Sequence, residues 1–378
     1  MACGGNSGGD GTSAASGGEC VADRGEGPEG GRRVRSTARS FAGLRALAKR
    51  GPAARKRNST ADMPMGRRAR DPKETGKEPI PPWRPDELCP CNSGRLYAQC
   101  CLGIDSRAYK SPVGRRPPGS TTGFSHARCY MGWTGDCDKQ ISGEHFISAS
   151  VLTQLGDLTV KLDGVPWLPT DETRIVPIAS LRGNILCKRH NEALAQLDAM
   201  GANFFAAIKM MHDDIFNRKT LSRRWKWFLF SGEDLELWLL KTAIGLFHSG
   251  NVAKERKKLI ETQTINPVCY DILYGGILPA PCGLYVEPIQ FSEQINQFQL
   301  QPLSDDEGRR MVGLRMTYMS FALTLLFEPA ATYGPDASDS KTYRPNHLIV
   351  RNDRRTHTVM LTWPRTASNV RRIVRVGY

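Results

Sequence analysis

The sequence predicts a mixed α+β protein, and three observations carry that expectation. Apolar residues at helical spacing mark two long helices, one over residues 191–213 and one after Ser231. Short apolar runs divided by turn residues mark strands near 158–168 and again from 348 onward. Of the eleven cysteines, six sit in close pairs or beside a histidine. That spacing suits metal ligation better than a disulfide framework.

The first helix carries Leu194, Leu197, Phe204, Ile208 and Met211 near one face. The second opens on Ser231-Gly-Glu-Asp234, a capping box, and runs through Leu235, Trp238, Leu239, Thr242 and Leu246 to Gly250. Asp163-Gly164 between 158–162 and 165–168 is a hairpin signal. At the far end, 348–351 and 357–363 flank a polar turn at 352–355, and 373–376 reads as a last short strand.

With 378 residues the chain is long enough for two or three domains. An apolar content of 40% excludes a fully disordered or collagen-like chain. The longest apolar stretches, 319–327 and the Lys241-interrupted 235–247, fall short of the ~18–20 residues of a membrane span. No apolar core of a signal peptide stands at the N-terminus, so a cytoplasmic protein with no membrane partner is expected. The balance of 52 basic against 38 acidic residues, net +14, favours an anionic partner, nucleic acid above all.

Organisation follows from composition. Residues 1–31 hold eleven glycines, five acids and one Arg, and 32–73 hold fourteen Lys/Arg against two acids. Neither stretch has the apolar residues to offset ordering entropy, so 1–80 is expected to be a disordered arm, basic overall. A Cys-rich module spans 87–103, a Pro/Gly/Ser-rich linker 104–123, a second metal-bound domain 125–213, and an α+β accessory region 214–378. Within 215–230, five basic residues interleave with two Trp and three Phe, a composition for phosphate contact and base stacking or for a buried aromatic face. His212-Asp213-Asp214 is expected to be structural, and Cys269 and Cys282 to be buried thiols.

Cys89, Cys91, Cys100 and Cys101 place four thiols within thirteen residues. Paired thiolates folded back at Gly94 can converge on one tetrahedral Zn²⁺, and so short a segment needs a metal for its folding energy. With Pro90, Ser93, Gly94 and Tyr97, this segment resembles the SEC-C motif, known from the bacterial preprotein translocase motor and other bacterial proteins. The resemblance implies a small zinc-bound docking module that contacts protein, ribosome or nucleic acid.

Cys129 and Cys137 enclose a Gly-rich loop, Glu144-His145 follows, and Cys187 and His190 open the first long helix, with Asn191 next. Cys129, Cys137, Cys187 and His190 form a second zinc set, with His126 as an alternative to Cys137. The order resembles the HNH, or His-Me finger, endonucleases built around a structural zinc, whose fold is a ββα-metal finger. The resemblance implies His145 as general base, with Glu144 and Asn191 holding a catalytic Mg²⁺ or Mn²⁺. It departs from the family in its C-x7-C knuckle, in the long stretch from His145 to Cys187, and in Glu rather than Asp before the histidine. The expected function is a metal-dependent endonuclease on nucleic acid, DNA favoured. The competing expectation is a non-catalytic zinc adaptor.

Overall fold

The computed structural model describes residues 83–91, 93–103, 108–153, 159–162, 174–177, 181–216, 225–249, 263–289, 298–329, 341–364 and 372–378. The arm expected over 1–80 lies outside them. The described elements run β1 Ile141–His145, α1 Ala149–Thr153, β2 Thr159–Leu162, β3 Arg174–Pro177, β4 Arg182–Cys187, α2 Lys188–Phe216, β5 Trp225–Ser231, α3 Gly232–Ser249 and α4 Val268–Gly275. Then come β6 Gly283–Pro288, β7 Phe298–Ser304, β8 Met311–Tyr318, β9 Phe321–Leu326, β10 Thr342–Tyr343, β11 His347–Arg351, β12 Thr356–Thr362 and β13 Ile373–Gly377. The arrangement is mixed α and β, and no described helix is long and apolar enough to cross a membrane.

Helix α3 is the centre of the core. Seventeen of its residues are buried, from Gly232 to Ser249 with His248 alone excepted. A helix buried nearly all round must be covered on every side, and α2, α4, β4, β5 and the β8–β9 pair supply the cover. Close approach demands small residues at two crossings. A Cβ on Gly201 of α2 would lie 2.7 Å from Trp238 Nε1, and one on Gly245 would lie 2.9 Å from Phe146 Cβ. The capping bond expected at the start of α3 is present, with Asp234 N–H donating to Ser231 Oγ at 3.1 Å.

Two larger sheets flank the helices. A five-stranded antiparallel sheet has the order β10-β6-β9-β8-β7, and a four-stranded sheet the order β13-β11-β12-β5. The hairpin expected around 352–355 is β11–β12, antiparallel from His347↔Met360 to Arg351↔Thr356. The strand at 373–377 joins it in parallel. The 215–230 stretch divides between the end of α2 and β5, which pairs in parallel with β12 at the sheet edge. The turn expected at Asp163-Gly164 and the strand expected over 165–168 lie outside the described residues, and β2 pairs antiparallel with β3, with Leu162 opposite Arg174.

Residues 72–378 cluster as one compact unit. Residues 108–123 act as a strap, and 104–107 lie outside the described residues. Lys110 N–H donates to Thr362 Oγ1 at 3.0 Å, Val113 N–H to Asp234 Oδ1 at 3.1 Å, and Thr122 N–H to Asp136 Oδ1 at 3.0 Å. The polar composition that marked it as a linker also supplies donors that reach the body at intervals.

Candidate metal centres and the Glu144 cluster

The first cysteine cluster is built by tight backbone turns. Cys89 N–H donates to Arg95 O at 2.8 Å, Gly94 adopts φ 73° at the turn, and the N–H groups of Cys100, Cys101 and Leu102 converge on Tyr97 O. These bonds gather the four Sγ atoms of Cys89, Cys91, Cys100 and Cys101 within 4.8 Å of one another. Burial pushes the Cys89 thiol up to about 11. Burial acts the same way on Cys91, but hydrogen bonds from Ser93 and the neighbouring thiols outweigh it and bring it down to about 6. Four such sulfurs cannot all ionise together without a cation among them, and an all-sulfur tetrahedral set suits Zn²⁺. Tyr97, buried, packs on Trp83 at 5.6 Å, and Trp83 packs on Trp227 of β5 at 6.1 Å. Cys89, Tyr97 and Cys101 share a hydrophobic cluster with Leu229 of β5 and Met360 of β12. The module is therefore seated on the four-stranded sheet.

The second cluster joins three chain segments. Cys137 N–H donates to Phe124 O at 2.8 Å and Tyr130 N–H to Ile185 O at 3.0 Å, which fix the 124–137 loop against β4. Cys187 ends β4, and His190 stands on the first turn of α2. His190 Nδ1 lies 3.1 Å from Cys187 Sγ, 3.6 Å from Cys129 Sγ and 3.7 Å from Cys137 Sγ. All four ligand atoms lie within 4.8 Å of one another and all four residues are buried. The other ring nitrogen, Nε2, is 3.1 Å from Thr134 Oγ1, a partner that aims Nδ1 at the sulfurs. Burial holds the His190 pKa below its ordinary value, which keeps the ring in its neutral, ligating form. The set therefore fits a structural Zn²⁺. His126, the alternative ligand, lies outside the cluster and accepts Arg128 N–H at Nδ1.

Glu144, His145 and Asn191 take up different environments. β1 pairs with β4 through Glu144↔Gly183 and His145↔Arg182, and α2 follows β4 directly. Glu144 points inward and is 5% exposed. Its Oε1 is hydrogen-bonded to Lys241 Nζ of α3, which also donates to Asp198 Oδ2 at 2.6 Å. Burial pushes Lys241's pKa down, but the two carboxylates outweigh it and hold the amine above its ordinary value. Burial raises Glu144, with Lys241 opposing. Tyr130 Oη and Asp198 Oδ1 are buried beside this cluster with no hydrogen-bond partner among the described residues. His145 is half-buried, and burial with the Arg182 guanidinium beside it lowers its pKa. Asn191 Nδ2 donates to Ser142 Oγ at 2.9 Å.

Sequence reasoning missed Lys241 and Asp198. The signals were a lone lysine within the apolar run of a helix whose acids lie in its first turns, and an acid seven residues, two turns, after Asn191 on one face of α2. The other motif residues are structural. His212 Nε2 is 2.8 Å from Ser320 Oγ, Asp214 Oδ2 is 2.9 Å from His357 Nε2, and Cys269 and Cys282 are buried thiols.

Residues 87–103 match the SEC-C motif. No curated protein and no solved structure matches the chain.

Proposed function

We propose that the protein is a zinc-stabilised, non-catalytic adaptor that docks on nucleic acid. The observation behind the reading is Lys241, whose side chain is 4% exposed and whose ammonium is committed to Glu144 and Asp198. A hard divalent ion at Glu144 needs that carboxylate. Displacing the lysine strands a buried ammonium, at a cost of several kcal/mol. The ammonium thus already supplies the positive charge that a divalent metal would bring. The net charge of +14 supports an anionic partner. The SEC-C module adds a second docking element.

Titration of Mn²⁺ into the zinc-loaded chain tests this directly. No stoichiometric Mn²⁺ site is expected. One Mn²⁺ bound per chain, and lost in Glu144→Gln, overturns the reading.

A second reading, an HNH-type endonuclease using Mg²⁺ or Mn²⁺, is favoured by one arrangement. β1, β4 and α2 follow in strand–strand–helix order, with Glu144-His145 ending the first strand and Asn191 on the first helical turn. His145, held neutral and without a hydrogen bond from its ring to another described residue, has the protonation state of a general base. In that reading Lys241 has to give way to the metal.

A further inference from the structure

The loop that brings Cys129 and Cys137 to the second metal centre also carries Trp133, and this tryptophan is 55% exposed. It stands on a 3-10 turn, Gly132–Thr134. Thr134 Oγ1 donates to Met131 O at 2.8 Å, and a Cβ at Gly132 would lie 2.8 Å from His126 O. Two ligands of one buried metal set bracket the turn. The backbone that carries the exposed Trp133 ring is therefore anchored on both sides.

Its neighbours are aromatic and cationic. The Tyr274 ring of α4 packs edge-on to Trp133 at 6.4 Å and to His190 at 5.8 Å. The Arg116 guanidinium lies 5.8 Å from the centroid of Tyr274. Arg116 is exposed and forms no ion pair among the described residues. Asp136, the acid within this loop, is neutralised by Arg189 at 2.9 Å, so the face keeps a positive balance. Ile277, after α4, is 60% exposed. A face built from an exposed indole, a second ring and a guanidinium with no ion pair among the described residues matches the chemistry of a base stacked beside its phosphate.

We propose that Trp133, Tyr274 and Arg116 form a stacking platform for single-stranded nucleic acid, an inference that rests on the docking reading in taking nucleic acid as the partner. Stacking on an indole needs an unpaired base, so the platform favours single strands over duplex. Trp133 is the anchor, Tyr274 backs it, and Arg116 meets the phosphate.

The test uses the full zinc-loaded chain and fluorescently labelled oligo-dT, oligo-rU and a duplex of equal length. Wild type is expected to bind a single strand more tightly than the duplex. Trp133→Ala, checked for unchanged zinc content, should weaken single-strand binding by about 5- to 100-fold, and Trp133→Phe should restore most of it. Arg116→Ala should lower the salt slope by about 0.7. The ratio of dT to rU affinity tells which sugar the platform accepts, and tight binding of either supports it. Single-strand affinities unchanged in both alanine variants overturn the platform while leaving nucleic-acid docking intact. A wild-type chain that binds no oligonucleotide overturns platform and docking reading together.

Discussion

Lys241 decides more than any other single side chain. It is buried, and both of its partners are carboxylates, so removing it leaves Glu144 and Asp198 without their cation. Lys241→Ala is expected to destabilise the fold by about 3–5 kcal/mol in denaturant unfolding. Adding Glu144→Gln should recover part of that loss, because it removes one of the stranded charges. Full additivity of the two losses would mean that the pair is not coupled. His248 offers a separate residue-scale test. Burial alone lowers its pKa to about 4, against ~6.5 for an unfolded histidine. The unfolded chain therefore takes up a proton that the folded chain refuses, and stability falls as pH drops from about 6.5 to about 4. In His248→Gln that slope should flatten by up to one proton. A slope unchanged by the substitution would place the acid sensitivity elsewhere.

At the scale of elements, periodicity and caps were enough to locate α2, α3, β11 and β12, because each obeys one local rule. The β2–β3 pairing escaped because a turn signal such as Asp163-Gly164 points only to the residues next to it, and Arg174 lies further on. The role of β5 escaped because parallel pairing with β12 spans over a hundred residues and leaves no local trace. Both cysteine sets were legible from spacing alone, since ligands must converge whatever the fold. The seating of the SEC-C module on β5 was not, because Leu229 and Met360 read as ordinary strand residues. Two predictions belong here. Cys187→Ser should lower zinc content by about one ion and reduce the melting temperature of the whole body, since Cys187 links β4 to α2. Cys100→Ser should also lose about one zinc but shift the main transition less, because only the small cluster under Trp83 and Tyr97 is disturbed. Equal shifts in both variants would mean that the module and the body unfold as one. On α2, Gly201→Ala should cost about 1–3 kcal/mol, as its methyl meets the buried Trp238 ring.

For the whole molecule, the two candidate metal sets lie at two places, one against β5 and β12 and one at the β4–α2 junction, where a bound zinc would staple the chain. The 108–123 strap, tied to Thr362, Asp234 and Asp136, runs between them. Two zinc ions per chain are expected from elemental analysis of protein purified without chelator, and one or none would remove one of the staples. The sequence placed Glu144, His145 and Asn191 in an order that suggests phosphodiester hydrolysis. It could not show that the carboxylate is already taken by a lysine from a helix about a hundred residues away, because a buried ion pair between distant segments has no sequence periodicity. Function therefore turns on whether that lysine yields to a metal. The most direct measurement is cleavage of supercoiled and single-stranded DNA and of RNA by the zinc-loaded chain in Mg²⁺ and Mn²⁺, with His145→Ala run beside it. The adaptor reading predicts binding without divalent-dependent cleavage, and the same null result for both proteins. Cleavage by wild type that His145→Ala lowers by about 10²–10⁴, at unchanged zinc content and melting temperature, would contradict it and establish the endonuclease.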